Sequence, residues 1–207
     1  MSKRFTLTLL ILFLSLTSSA GAQDDEGYAA QREAEAARAV KRLTDADPLV
    51  RQRAGEELAR LSAVEHQRLV EGYLLQEKNE RVRLALNWAL YRAGQHKAIY
   101  SIVRDFRSDA RRTQAVGYLA QLSSPELLKP FFRSADRKTL IGLLEVMAQL
   151  GNEETLEQIK PYANTLDPEI SKAAQFATRE ITIRLSKPPS ETPTRPRKVQ
   201  ETEGVSP

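Results

Sequence analysis

Polar and apolar positions between residues 28 and 186 follow a helical period. Five runs, each opened by a helix-capping residue (Asp47, Asn79, Ser108, Asp136 and Asp167), carry mostly apolar side chains at offsets 3, 7, 11 and 14 from the opener. The seventh position reads Ala54, Leu86, Ala115, Leu143, Ala174, and the eleventh Leu58, Leu90, Leu119, Met147, Thr178. Those offsets mark one face of a helix with 3.6 residues per turn. Asp, Asn and Ser suit the openings because their side chains accept hydrogen bonds from backbone N–H groups left free in the first turn. The openers are spaced 32, 29, 28 and 31 residues apart, so one stripe recurs.

A second set lies between them: Val40, Leu69, Ile99, Leu127 and Leu156, at spacings of 29, 30, 28 and 29. Each sits on a segment that ends in a polar or proline-marked turn before the next opener. The repeating unit is therefore helix A, a short turn and helix B. Neither helix buries its apolar face alone, so successive pairs must share one core. The expected fold class is all-α, with about five helix pairs. The opening helix, Tyr28 to Leu43, is rich in Ala, Arg and Glu, as suits an end helix with one wet face.

The motif Asp47-Pro48, Val50-Arg51, Ala54 and Leu58 resembles the HEAT repeat, in the short form found in phycobilin lyases and bacterial scaffolds. Val82-Arg83 with Leu86 and Leu90, and Asp167-Pro168 with Ile170, Ala173 and Ala174, match it too. The third and fourth units depart, with Arg111-Arg112 and Thr139-Leu140 at the Val-Arg position. The resemblance implies a right-handed α-solenoid over residues 23–186, with the B helices lining its concave face.

Both ends of the chain differ from this pattern. Lys3 and Arg4 precede a run of apolar residues with Thr6, Thr8 and Ser15 from Phe5 to Leu16, followed by Ala20-Gly21-Ala22, the layout of a secretory signal peptide over residues 1–22. Twelve residues rise about 18 Å as a helix, short of a hydrocarbon core of about 30 Å, which argues against an uncleaved anchor, and no later segment approaches about 20 apolar residues, so no stable membrane insertion is expected after cleavage. The expected location is periplasmic or secreted. Residues 187–207 hold five prolines and too few aliphatics to offset the cost of ordering, and are read as a disordered tail. There is no cysteine, so stability outside the cytoplasm must come from packing. Lys3 and Arg4 belong to the signal, which leaves 29 of the 31 basic residues against 27 acids. That near-balance argues against a nucleic-acid partner.

No catalytic pattern emerges from the residues that could carry chemistry. His66 and His96, 30 residues apart, hold equivalent positions near the starts of A helices, where separate stacked helices keep two imidazoles from sharing one metal ion. The order Glu65-His66 and Gln95-His96 also lacks the His-Glu pairs of the HEAT-like deoxyhypusine hydroxylases. Nothing frames a serine as a nucleophile. Gly94 and Gly151 follow helix ends, where left-handed caps are expected. Carboxylate pairs such as Glu56-Glu57 and Glu153-Glu154 read as solvated. Arg51, Arg83 and Arg112 recur at one position and are expected to bind cap acids or carbonyls of a neighbouring unit.

Trp88 is the sharpest candidate. It lies about 200° round its helix from core residue Leu86 and forms a stripe with Leu84 and Tyr91. Matching positions hold Glu56, Gly117, Glu145 and Phe176. The indole either anchors a partner beside a glycine opening or fills the gap between units; the sequence leaves both roles open. The expected function is a non-catalytic, exported scaffold binding a protein partner through Leu84, Trp88, Tyr91, Arg92, Gly117, Glu56 and Glu145, with no cofactor. A bilin or tetrapyrrole lyase or carrier, implied by the same resemblance, and a structural envelope spacer are the alternatives.

Overall fold

The structure, a computed structural model, describes residues 20–186, with side chains from Gly27 onward. Most of the expected signal segment and all of the Pro-rich tail lie outside the described residues. Among the described residues there are helices and turns and no strand, so the chain is all-α. The helices are α1 (Ala20–Arg42), α2 (Pro48–Leu61), α3 (Gln67–Gln76), α4 (Glu80–Arg92), α5 (Ile99–Arg104), α6 (Asp109–Leu119), α7 (Lys129–Phe132), α8 (Arg137–Leu150), α9 (Glu153–Ile159) and α10 (Pro168–Ser186). The first helix starts earlier than Tyr28, and its first turn spans the expected cleavage point after Ala22. The chain divides into two compact units at Leu119–Ala120.

Helices α2, α4, α8 and α10 begin where the capping residues place them. The Asp47 carboxylate accepts from Leu49 N, Asn79 Oδ1 from Arg81 N and Val82 N, Asp136 from Thr139 N, and Asp167 from Glu169 N and Ile170 N. Each such cap is worth about 1 kcal/mol. Ser108 directly precedes α6, and its carbonyl accepts from Arg112 N.

In the first unit, α2 packs side by side with α4. Gly55 permits the close approach, because a Cβ there would stand 3.2 Å from Ala85 Cβ. Leu58, Leu86, Leu90, Ile102, Phe106 and Leu119 are almost wholly buried, and each contributes about 1.5–3 kcal/mol by leaving water. In the second unit, α8 packs on α10 through Leu143, Met147, Ala174, Ala177 and Ile181. The seventh-position residues Ala54, Ala115, Leu143 and Ala174 are all 0% exposed, so the predicted B-helix stripe is the core stripe.

The expected A-helix stripe needs correcting. Leu69 is 52% and Leu127 45% exposed, and the next residues, Val70 and Leu128, are the buried ones. The A segments are partly 3₁₀, at Val64–His66, His96–Ala98, Asp105–Arg107 and Pro125–Leu128. A tighter turn shifts the inward face away from a 3.6-residue count. The glycine caps also divide: Gly94 adopts φ +100°, as expected, whereas Gly151 has φ −59°. Gly151 is instead held by space, since a Cβ would meet Ile181 Cδ1 at 2.6 Å and Met147 O at 2.7 Å.

The recurring arginines close the turns of their own pairs. Arg51 donates to Asp45 O, Arg83 to Glu77 O and Arg112 to Phe106 O, each to the carbonyl six residues earlier. One guanidinium thus ties the start of each B helix to the turn before it. The neighbour contact expected of these arginines occurs once among them, where Arg51 forms a two-pronged pair with Glu77 at 2.7 and 3.0 Å.

Candidate functional site

Trp88 projects from α4 into a cluster built by three B helices of the first unit. The indole lies near-parallel to the rings of Tyr91 and Tyr118, with centroids 5.5 and 5.7 Å away and planes 10° and 5° apart. The Arg92 guanidinium sits 5.6 Å over the indole, a cation–π contact. Tyr91 in turn meets His96 edge-on at 5.9 Å. Stacked aromatic pairs add about 0.5–1.5 kcal/mol to what burial supplies.

A hydrogen-bonded chain runs across the same helices. Tyr118 Oη donates to Glu56 Oε1 at 2.6 Å, and Gln52 Nε2 donates to the same oxygen at 2.9 Å. Gln114 Nε2 donates to Tyr118 Oη at 2.7 Å and to Arg81 O at 3.1 Å. Burial pushes the Tyr118 phenol well above its ordinary pKa, and the hydrogen bond to Glu56 pushes it further. Burial also raises Tyr91, with the nearby Arg92 charge pulling the other way. The phenol of Tyr118 is therefore a fixed proton donor at neutral pH.

This geometry decides the role of Trp88. The indole is 3% exposed and Leu84 0%, so neither reaches a partner, and the expectation that these two anchor one is corrected. The indole fills the space between helices because Tyr118, one residue after the matching Gly117, swings over it. Tyr91, Arg92 and Glu56 are half-buried and keep an accessible edge. Gly117 is exposed, with no heavy atom within 4 Å of where a Cβ would stand. The structure thus joins Tyr91 and Arg92 to each other through Trp88, and Trp88 to Glu56 through Tyr118. Glu145 is half-buried on α8 in the second unit.

Tyr118 and Gln114 escaped the sequence reading. A signal was present, because Tyr118 is the one aromatic in a register that otherwise reads Glu57, Ala89, Val146 and Ala177, and is followed by core residue Leu119. Glu56, read as solvated, is instead the acceptor of two side-chain hydrogen bonds. His66 and His96 do lie in the 3₁₀ turns ahead of α3 and α5, with His66 Nε2 3.0 Å from Glu33 Oε1. Among the described residues no three His, Cys, Asp or Glu side chains are grouped to hold a metal ion. No helix among them is long and apolar enough to cross a membrane.

No protein-family model, curated protein or solved structure matches this chain.

Proposed function

We propose that this chain is an exported, HEAT-like α-solenoid scaffold that holds a partner protein against its B-helix face. The supporting observation is the sequence separation of its long-range polar contacts. Arg32 reaches Leu61 O over 29 residues, Arg81 reaches Ala110 O over 29, Arg137 reaches Asp167 over 30 and Arg184 reaches Gly151 O over 33. These four separations are close to one repeat, as expected when a helix pair touches the next one along, and the Tyr118–Glu56 bond, at 62, spans about two.

On this reading the partner meets the accessible edges of Tyr91, Arg92 and Glu56 and the open surface at Gly117. Trp88 and Tyr118 lie beneath and hold those groups in place. Rigid side chains on packed helices lose little entropy on docking, which favours a scaffold role. Paired Tyr91→Ala and Arg92→Ala substitutions in the full chain, followed by recovery of crosslinked partners from intact cells, test it. Loss of a specific partner with an unchanged unfolding midpoint supports the reading, and unchanged recovery refutes it. Cell fractionation tests export, with the chain expected outside the cytoplasm and shortened by removal of residues 1–22.

A further inference from the structure

The first unit contains a polar cavity of 490 Å³ in which guanidinium groups outnumber carboxylates. Arg83, Arg104, Arg107 and Arg111 line it against Glu80 and Asp105, an excess of two positive charges. None of its lining residues belongs to the Trp88 cluster. Its size falls within the usual range for small-molecule sites.

The preceding crevice of the chain provides an internal comparison. It is smaller, 370 Å³, and its charges balance: Arg51 and Lys78 against Asp45 and Glu77. There the two oxygens of Glu77 close the Arg51 guanidinium. Arg83 is the counterpart of Arg51, four residues after its own helix cap, but meets no carboxylate among the described residues. Its Nη1 serves the carbonyls of Leu74 and Glu77, leaving Nε and Nη2 without a partner among the described residues. Asp105, the carboxylate on the same lining ahead of the next helix, is taken by Arg111 at 2.8 Å. Arg104 Nη2 makes a 3.5 Å contact with Ser101 Oγ, and its charge acts on Asp105 without a hydrogen bond among the described residues. The second crevice thus repeats the first with the closing carboxylate diverted and cations added.

We propose that this cavity binds a small ligand carrying two negative charges on oxygen, of the phosphate monoester or dicarboxylate type. Guanidinium groups suit such ligands because their paired N–H donors match two oxygens of one anionic group. Arg83 and Arg104 supply the uncommitted donors, and Ser101 and Asn87, also on the lining, offer neutral ones. The unlike pairing of Arg111 with Asp105 fixes one wall, so the site is ordered before the ligand arrives.

Calorimetric titration of the full chain with inorganic phosphate and, separately, with succinate tests the site. Saturable binding of either probe is expected, weakening as salt is raised. Arg104→Gln should reduce affinity at least about tenfold, one good charged contact in binding terms, without moving the unfolding midpoint, and Arg83→Lys, which keeps the charge and loses the paired donors, should weaken binding as well. Arg53→Gln, an exposed arginine on α2 outside the cavity, should leave it unchanged. Binding of phosphate alone assigns the phosphate-ester type, and of succinate alone the dicarboxylate type. Binding of neither, or binding that survives both cavity substitutions, overturns the proposal.

Discussion

Tyr118 Oη and Glu56 Oε1, 62 residues apart, stand 2.6 Å from each other and tie α6 to α2 across α4. The separation of 62 residues is about twice the spacing of the helix openers, so α6 reaches past α4 to α2. The bond is thus an extra clasp on the first unit, and it roofs the Trp88 indole. Tyr118→Phe removes one buried hydrogen bond to a charged group and should cost about 1–3 kcal/mol in urea unfolding. Because folding raises the phenol pKa, the stabilisation is complete below the ordinary tyrosine pKa of 10.0 and fades as pH climbs toward the raised value. The parent should therefore lose stability above about pH 10, and Tyr118→Phe should flatten that alkaline slope.

Trp88 is the single tryptophan of the chain, so its fluorescence reports directly on the first unit. The native protein should emit at the short wavelengths of a buried indole and shift to the red on unfolding. Trp88→Ala should destabilise the fold by about 3–5 kcal/mol, the usual cost of emptying a core site of an aromatic. A smaller loss, below about 1 kcal/mol by urea denaturation followed by circular dichroism, would place the indole outside the core.

The Arg51–Glu77 pair makes an acid-side prediction. The hydrogen bonds from Arg51 hold the Glu77 carboxyl below its ordinary value of 4.5, partly against burial. Its contribution is thus present above about pH 4.5 and lost as pH falls through the lowered pKa. Glu77→Gln should cost about 1–3 kcal/mol at pH 7 and should reduce the steepness of acid unfolding. An identical acid profile in parent and variant would show that the pair adds nothing.

Two glycines should respond oppositely to alanine. Gly117→Ala places a methyl in open space on a helix and should stabilise by about 0.5–1 kcal/mol. Gly151→Ala drives a methyl against Ile181 and the Met147 carbonyl, and should cost about 1–3 kcal/mol. Thermal unfolding of the two variants compares them directly.

The B helices were legible in the sequence because their information is local. Asp47, Asn79, Asp136 and Asp167 bond the first-turn N–H groups of their own helices, and the buried columns follow a constant period. The A segments were less legible. Leu69 and Leu127 look like core residues by spacing, yet the 3₁₀ turns before α3 and within the Pro125–Leu128 stretch rotate their neighbours Val70 and Leu128 inward. The Trp88 site was legible in membership but not in exposure. Column matching placed Gly117 opposite the indole, whereas the roll of α6 brings Tyr118 there, and roll is set by packing between helices. Arg83 and Arg104 were visible as cations, but that Arg83 meets no carboxylate among the described residues depends on Asp105 turning to Arg111, which spacing does not specify.

The most direct measurement is site-specific photocrosslinking in intact cells, with the probe placed in turn at Tyr91 and Gly117 on the B-helix face and at Leu75 and Tyr100, both exposed on A helices. The account predicts one discrete crosslinked partner from Tyr91 and Gly117 and none from Leu75 or Tyr100. A partner captured from the A-helix positions alone would contradict it.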